Sequence, residues 1–399
     1  MFLFVYSLPS WSRDALPVDS LANAVERGDS GTWRGDAQSF LDSICSSPMF
    51  ETTQLGLYVY DLTDGCPLYS YNGGKSMRPA SCQKLVTAIS ALSVLGGEYR
   101  FVTGVHTDGQ LADGTLYGDV YFTGGMDPLL SSADICGIAQ QLKDAGVDSV
   151  AGHVYADLSM KDDKPYGWGW CWDDDYGPLS ALMVDAKDHF SEVWLSAAQS
   201  CGIALGDTAV VAAQTPPTAA PFLSFTHGMD DVLLPMMKES DNIFAECVFY
   251  NIAAAGGAKH AGRKQAAKAI AGVIESTGLQ NVLYRIADGS GLSLYNYVTP
   301  QLLVTLLNYA YVNDNIRQHL LDALPVAGVD GTLEKRMVKT KAAGNVRAKT
   351  GTVEGVSSLS GYLITSQGHL LSFSIICQGA KCIGAGKDFQ DKVCIRLCE

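Results

Sequence analysis

A chain of 399 residues, 47% hydrophobic and 18% charged, has the composition of a folded protein of roughly two to three domains and not of a disordered or fibrous one. The 28 Lys and Arg against 42 Asp and Glu give a net charge of −14, which repels a phosphate backbone or an anionic bilayer and excludes nucleic acid as a natural partner. No apolar run reaches the roughly 18 residues of an integral membrane span; the run Leu370 to Cys377 is broken by serines and reads as a strand.

Met1 to Ser12 (MFLFVYSLPSWS) is apolar but has no basic segment before it. It reads either as a truncated export signal or as a terminal segment packed on the body. Leu55 to Asp61 and Leu68 to Asn72, separated by Thr63-Asp64-Gly65, predict a β-hairpin. Leu85, Ala88, Ile89, Leu92 and Leu95 recur at helical spacing between Pro79 and Gly96-Gly97, which predicts a buried helix beginning at Ser81.

From Arg100 to about Ala213 the texture changes to short strands, with helices near Ile135 to Ala145 and Glu192 to Ser200. Ala145-Gly146-Val147 with Gly152-His153-Val154 is faintly echoed by Cys201-Gly202-Ile203 with Gly206 to Val210, which suggests a duplicated helix-strand unit. The proline-rich Gln214 to Pro221 reads as an extended connector leading back to the main body. Helical patterns follow at Val232 to Met237, Ile243 to Ala254, Lys264 to Glu275 and Pro300 to Tyr311. Val346 to Val353, Leu359 to Thr365 and Leu370 to Cys377 then predict an antiparallel meander. Strands at both ends of a helical middle can close into one sheet covered by helices, an α/β (α+β) arrangement with the 99–221 segment inserted.

The eleven cysteines include no CxxC and no Cys/His pairing at zinc spacing, so the sequence points to no metal site and no cofactor. Cys394 and Cys398 share one helical face, and their pairing stays open. No G-x-S-x-G, H-E-x-x-H or phosphate-binding glycine loop is present.

The chemistry concentrates in three triplets. Ser81-Cys82-Gln83-Lys84 puts a hydroxyl and an amine on one helical face, where a partly desolvated lysine can take the serine proton and the helix N-terminus can stabilise an oxyanion. Ser240-Asp241-Asn242, at a break between helical runs, supplies a proton-relaying hydroxyl and an amide able to hold both a substrate carbonyl and Lys84. Lys349-Thr350-Gly351-Thr352 lies on a strand whose edge can pair with an extended peptide, whose cation can attract a carboxylate, and whose Thr352 N–H can join that of Ser81 around an oxyanion. Taken singly, each triplet also fits a helix cap or a protected edge strand. In the order S-x-x-K, S-x-N, K-T-G they form the signature of penicillin-recognising serine enzymes.

With Gly125-Met126-Asp127-Pro128, Asp288-Gly289-Ser290-Gly291-Leu292-Ser293 and Asp330-Gly331-Thr332-Leu333, the sequence resembles the class C low-molecular-mass penicillin-binding proteins, the D-alanyl-D-alanine carboxypeptidase and endopeptidase family, over roughly residues 50 to 380. The resemblance implies a penicillin-binding transpeptidase/β-lactamase-like fold formed by 31–98 and 222–399, with one small α+β domain at 99–221. It implies that Ser81 attacks the carbonyl between two D-alanines of a peptidoglycan stem peptide, with Lys84 as base and Ser240 as proton relay. Asn242 would then hold the substrate amide and Lys349 and Thr350 its carboxylate, Gly351 and Thr352 would line the strand side, and Asp127 would contact the diamino-acid side chain. It also implies trapping of Ser81 by β-lactams and a place outside the cytoplasm, in the periplasm. Longer members carry two inserted domains between the first two motifs; here one is missing, after Phe190. The rival readings are a serine β-lactamase, which lacks an E-x-x-L-N device here although Tyr311-Val312-Asn313 matches Y-x-N, and a non-catalytic peptidoglycan sensor. Oligomeric state is not readable from the sequence.

Overall fold

The computed structural model describes residues 32–399 apart from 175, 281 and 381, so the Met1 to Ser12 segment lies outside the described residues. The predicted hairpin forms from Gln54–Asp61 and Cys66–Tyr71, and the meander from Arg347–Val353, Val356–Ile364 and Leu370–Gln378. The two ends of the chain meet where Gln54–Asp61 pairs antiparallel with Leu370–Gln378, Leu57 opposite Ile375. The result is one five-stranded sheet with Arg347–Val353 at its edge.

Leu57, Val59, Phe373 and Ile375 are fully buried in this sheet, each contributing roughly 1.5–3 kcal/mol of burial free energy. Helices Thr32–Cys45 and Ile383–Cys398 supply Leu41, Val393 and Leu397 to the same core. A second core gathers the helices Gln83–Val94, Met229–Lys238, Asn242–Ala253, Arg263–Ser276, Pro300–Val312 and Asp314–Ala323. Tyr362 of the sheet reaches into it, its hydroxyl donating to the Leu307 carbonyl across 2.7 Å.

The 99–221 segment forms its own sheets and a third core around Phe122, Trp194 and Ile138. The faint sequence echo is a structural repeat. Helix Ser132–Asp144 precedes the strands Ser149–Val150 and Val154–Asp157, and helix Phe190–Ser200 precedes Ala204–Leu205 and Val210–Ala212. The equivalent strands pair in parallel, Ser149 with Ala204 and Val154 with Val210. The return path differs from a plain connector: Ala220–Gly228 is a strand that pairs with Arg100–Thr107, so the insert's sheet runs on to Gly228.

Among the described residues, three helices carry no counterpart among the predicted elements: Thr32–Cys45, Asp314–Ala323 and Ile383–Cys398. The last places Cys394 and Cys398 on one buried face, and all eleven cysteines are free thiols. Asp61, Asp64 and His369 converge beneath the first of these helices, but the Arg34 guanidinium bonds both carboxylates, so the cluster is a balanced ion-pair network tying that helix to the sheet.

Candidate active site

Ser81 sits in a single 3-10 turn, Ala80–Cys82, that feeds helix Gln83–Val94. Ala80 has a φ of 48°, a left-handed conformation that a residue with a side chain adopts only when its surroundings enforce it. Two neighbours do so. Ser358 Oγ donates to the Pro79 carbonyl across 2.6 Å, and Cys82 Sγ donates to the Lys349 carbonyl across 3.2 Å. Gly351 makes this docking possible, since a Cβ there would lie 2.7 Å from the Pro79 oxygen and 3.0 Å from the Cys82 nitrogen. The serine is thus clamped against the edge strand.

Lys84, one turn after Ser81 and the second residue of the helix, is fully buried. Its Nζ lies 3.2 Å from Ser81 Oγ, 2.5 Å from Asn242 Oδ1 and 2.9 Å from the Ser290 carbonyl. Burial pushes its pKa down to about 8, with Asp288, Glu246 and Asp241 pulling the other way. Such an amine is a competent base near neutral pH.

Ser240 and Asn242 occupy the break between helices Met229–Lys238 and Asn242–Ala253. Asp241 is the N-cap of the second helix, accepting from the Phe244 N–H at 3.1 Å, while Ser240, with a φ of 64°, turns out of the helix line. The middle residue of the triplet therefore does the capping and leaves the outer two for the cleft. Asn242 Nδ2 donates to the Tyr176 hydroxyl at 2.7 Å, which brings in a loop of the insert; the same loop is anchored by Trp170, whose Nε1 donates to Asp288 at 3.0 Å.

Lys349, fully buried on the edge strand, has its pKa pushed down to about 7, first by burial and then by the charge of Lys84. Its Nζ donates to the Thr350 carbonyl at 2.9 Å, and Thr350 Oγ1 donates to Thr332 Oγ1 at 2.8 Å. A cleft of about 330 Å³ is lined by Ser81, Ser240, Thr332, Arg336, Thr350, Thr352 and Lys387. A larger cavity, about 410 Å³, lies at the far end of the nucleophile helix among Leu92, Gly97, Tyr309 and His319 and holds none of the motif residues. Asn313 of the Y-x-N match lines that second cavity and caps helix Asp314–Ala323.

The fold brings together Ser81, Lys84, Ser240, Asn242, Lys349, Thr350, Gly351 and Thr352. It does not bring Asp127 into the group: that carboxylate is buried, bonded to His227 Nδ1 at 2.7 Å and to the Leu129 N–H at 3.0 Å. The sequence reading missed Tyr176, Arg336, Lys387 and Glu246. Glu246 had a local signal, because it stands one helical turn after Asn242 on the same face. Tyr176 had none, being 66 positions away.

A serine hydrogen-bonded to a buried lysine, an amide bridging that lysine to a loop, and a cationic edge strand closing the cleft define a serine acyl-transfer enzyme. A profile of the D-Ala-D-Ala carboxypeptidase 3 (S13) family matches residues 37–202 and 180–396, and the chain belongs to this peptidase family. It is 29% identical over 485 aligned positions to the D-alanyl-D-alanine carboxypeptidase of Actinomadura sp. (strain R39), covering 96% of this chain and 88% of that one. The fold matches the crystal structure of penicillin binding protein 4 (dacB) from Haemophilus influenzae with a TM-score of 0.81 at 22% identity, over 90% of this chain and 99% of that one. A second structure of that protein, complexed with a novel β-lactam, matches with a TM-score of 0.73 at 22% identity, over 86% and 97%.

Proposed function

We propose that this hydrolase removes the terminal D-alanine from peptidoglycan stem peptides through an ester on Ser81. The observation that carries the reading is the chain Ser81 Oγ, Lys84 Nζ, Asn242 Oδ1, set beside the Lys349 strand in one cleft. Neutral Lys84 takes the Ser81 proton as Oγ attacks the carbonyl carbon of the D-Ala–D-Ala amide. The N–H groups of Ser81 and Thr352 hold the developing oxyanion. The proton held by Lys84 passes through Ser240 to the amide nitrogen, the C–N bond breaks, free D-alanine leaves, and Lys84 is neutral again. Water, deprotonated by the same lysine, then hydrolyses the ester.

The substrate carboxylate is held by Lys349 and Thr350, and Arg336 and Lys387 add positive charge to the cleft of a chain that is acidic overall. Carboxylate binding also restores the proton to Lys349, because an opposite charge offsets the burial and the Lys84 repulsion that depress it. The two lysines thereby divide the work: Lys349 is charged in the complex while Lys84 is neutral. A peptide cross-link presenting the same D-amino-acid amide is cut by the same steps, so endopeptidase action lies within the chemistry of this site. β-Lactams, which place a strained amide and a carboxylate at the same spacing, acylate Ser81.

The substrate lies in the cell wall, so the enzyme works outside the cytoplasm, in the periplasm. No helix among the described residues is long and apolar enough to cross a membrane. The test is release of D-alanine from a stem pentapeptide ending in D-Ala-D-Ala. Wild-type protein releases it catalytically and Ser81→Ala does not; equal release by both removes the assignment.

A further inference from the structure

Beneath the catalytic group lies a carboxyl that the mechanism above leaves unused. Glu246 is buried on helix Asn242–Ala253, one turn after Asn242. Its Oε1 accepts from the Gly289 N–H at 3.1 Å and the Ser290 N–H at 2.9 Å. The carbonyl of that same Ser290 accepts from Lys84 Nζ at 2.9 Å. Asp288, two residues before Ser290, fastens the rest of the loop: it accepts from the Gly291 and Ser293 N–H groups and from Asn296 Nδ2. The loop is also pressed against the nucleophile turn, where a Cβ on Gly291, at a φ of 86°, would lie 1.9 Å from the Ala80 oxygen.

We propose, on the basis of the acyl-enzyme reading, that Glu246 is the positioning residue for Lys84: by gripping two successive N–H groups it fixes the Ser290 carbonyl on the lysine amine and sets the electrostatic field in which that amine loses its proton. Helix Asn242–Ala253 then steers the base twice, directly through Asn242 and indirectly through Glu246 and the loop. The two contacts hold the amine from different directions, aiming it at Ser81.

The charged and titratable groups facing Glu246 come from every packed element. Lys84 comes from the nucleophile helix, Asp288 from the loop, Lys161 from the insert, and Cys247 and Tyr250 from its own helix. Burial pushes the Glu246 carboxyl up, Asp288 adding to the rise, while the Gly289 and Ser290 N–H bonds favour its ionised form.

The experiment is acylation of the full chain by a chromogenic β-lactam from pH 6 to 9.5, with thermal melting as a check of folding, for wild type, Glu246→Gln and Glu246→Asp. Gln keeps an acceptor for the two N–H groups but removes the charge that favours protonated Lys84. The rising limb of its acylation profile therefore moves to lower pH by half a unit or more. Asp keeps the charge but falls short by one methylene, so its limb stays in place while the acylation rate drops about tenfold at unchanged initial binding. Either folded variant decides the question: a Gln variant with the wild-type limb, or an Asp variant with the wild-type rate, overturns the proposal. Failure of the wild type to acylate at any pH overturns the acyl-enzyme reading itself, so the two failures are distinguishable.

Discussion

Lys84 Nζ stands 3.2 Å from Ser81 Oγ, with no water-accessible surface on the lysine. The pKa of about 8 that burial gives this amine fixes the sign of the pH dependence. Below it the amine is an ammonium and cannot accept a proton, so acylation by a reporter β-lactam rises with pH toward 8 and levels above it. Lys84→Arg, protonated at every accessible pH, acylates about 10²–10⁴-fold more slowly. A flat wild-type profile from pH 6 to 9 contradicts Lys84 as the base.

Lys349 separates stability from activity. Its folded pKa, near 7, lies below the ordinary 10.5, so the unfolded chain binds more protons between those values and stability rises with pH across that window. Below pH 7 the buried cation carries its full cost. Lys349→Met is therefore more heat-stable than wild type at pH 6, by roughly 2–4 °C for each kcal/mol recovered. The same variant loses a charged hydrogen bond to the substrate carboxylate, and its KM for a D-Ala-D-Ala peptide rises about 10–100-fold. Calorimetry and D-alanine release on one preparation check both outcomes.

Gly351→Ala tests the clamp on the nucleophile. The added Cβ meets Ser358 Oγ at 2.2 Å and the Pro79 oxygen at 2.7 Å, so the hydroxyl and the carbonyl it bonds must shift. A displacement on the order of 1 Å lowers the acylation rate by up to about 100-fold, while the overpacking costs about 1–3 kcal/mol of stability. Wild-type acylation kinetics in this variant would show that the strand does not brace Ser81.

Asp127 acts on stability through His227. The His227 pKa is depressed by burial but raised overall by the Asp127 carboxylate, so this stabilisation is complete below pH 6.5 and is lost as pH rises through the folded His227 pKa. The Asp127 carboxyl is itself raised by burial, which gives the same sign. Asp127→Ala loses about 1–3 kcal/mol at pH 6 and flattens this part of the stability profile, with KM unchanged. A rise in KM with unchanged melting would instead place Asp127 against substrate.

Much of this architecture is written in local pattern. The nucleophile helix, the meander and the hairpin follow from hydrophobic period and turn residues, and the order of the three motifs identifies the chemistry because each pairs a reactive group with the element that presents it. Helix Ile383–Cys398 escaped because it opens with Ile383-Gly384-Ala385-Gly386, a poor helix former, and declares its buried face only at Phe389, Val393 and Leu397. Asp127 became a candidate only through the family resemblance, against the turn chemistry of Gly-Gly before Asp-Pro, and its carboxylate is bonded to His227, 100 positions away. Tyr176 joins the site through a contact 66 positions away, to Asn242, which no local window contains, and Glu246, although one turn after Asn242, shows its role only through Ser290, 44 positions on. Sequence pattern finds the groups that react more readily than those that hold them in place.

The central claim is that Ser81 forms the acyl-enzyme. An intact-mass time course of the protein with benzylpenicillin, run beside Ser81→Ala, tests it most directly. A persistent adduct of one penicillin mass on the wild type, absent from the variant, is the predicted result. An adduct of equal yield on the variant, or none on the wild type, contradicts the claim, and rapid loss of the adduct with bulk penicillin hydrolysis would make the enzyme a β-lactamase.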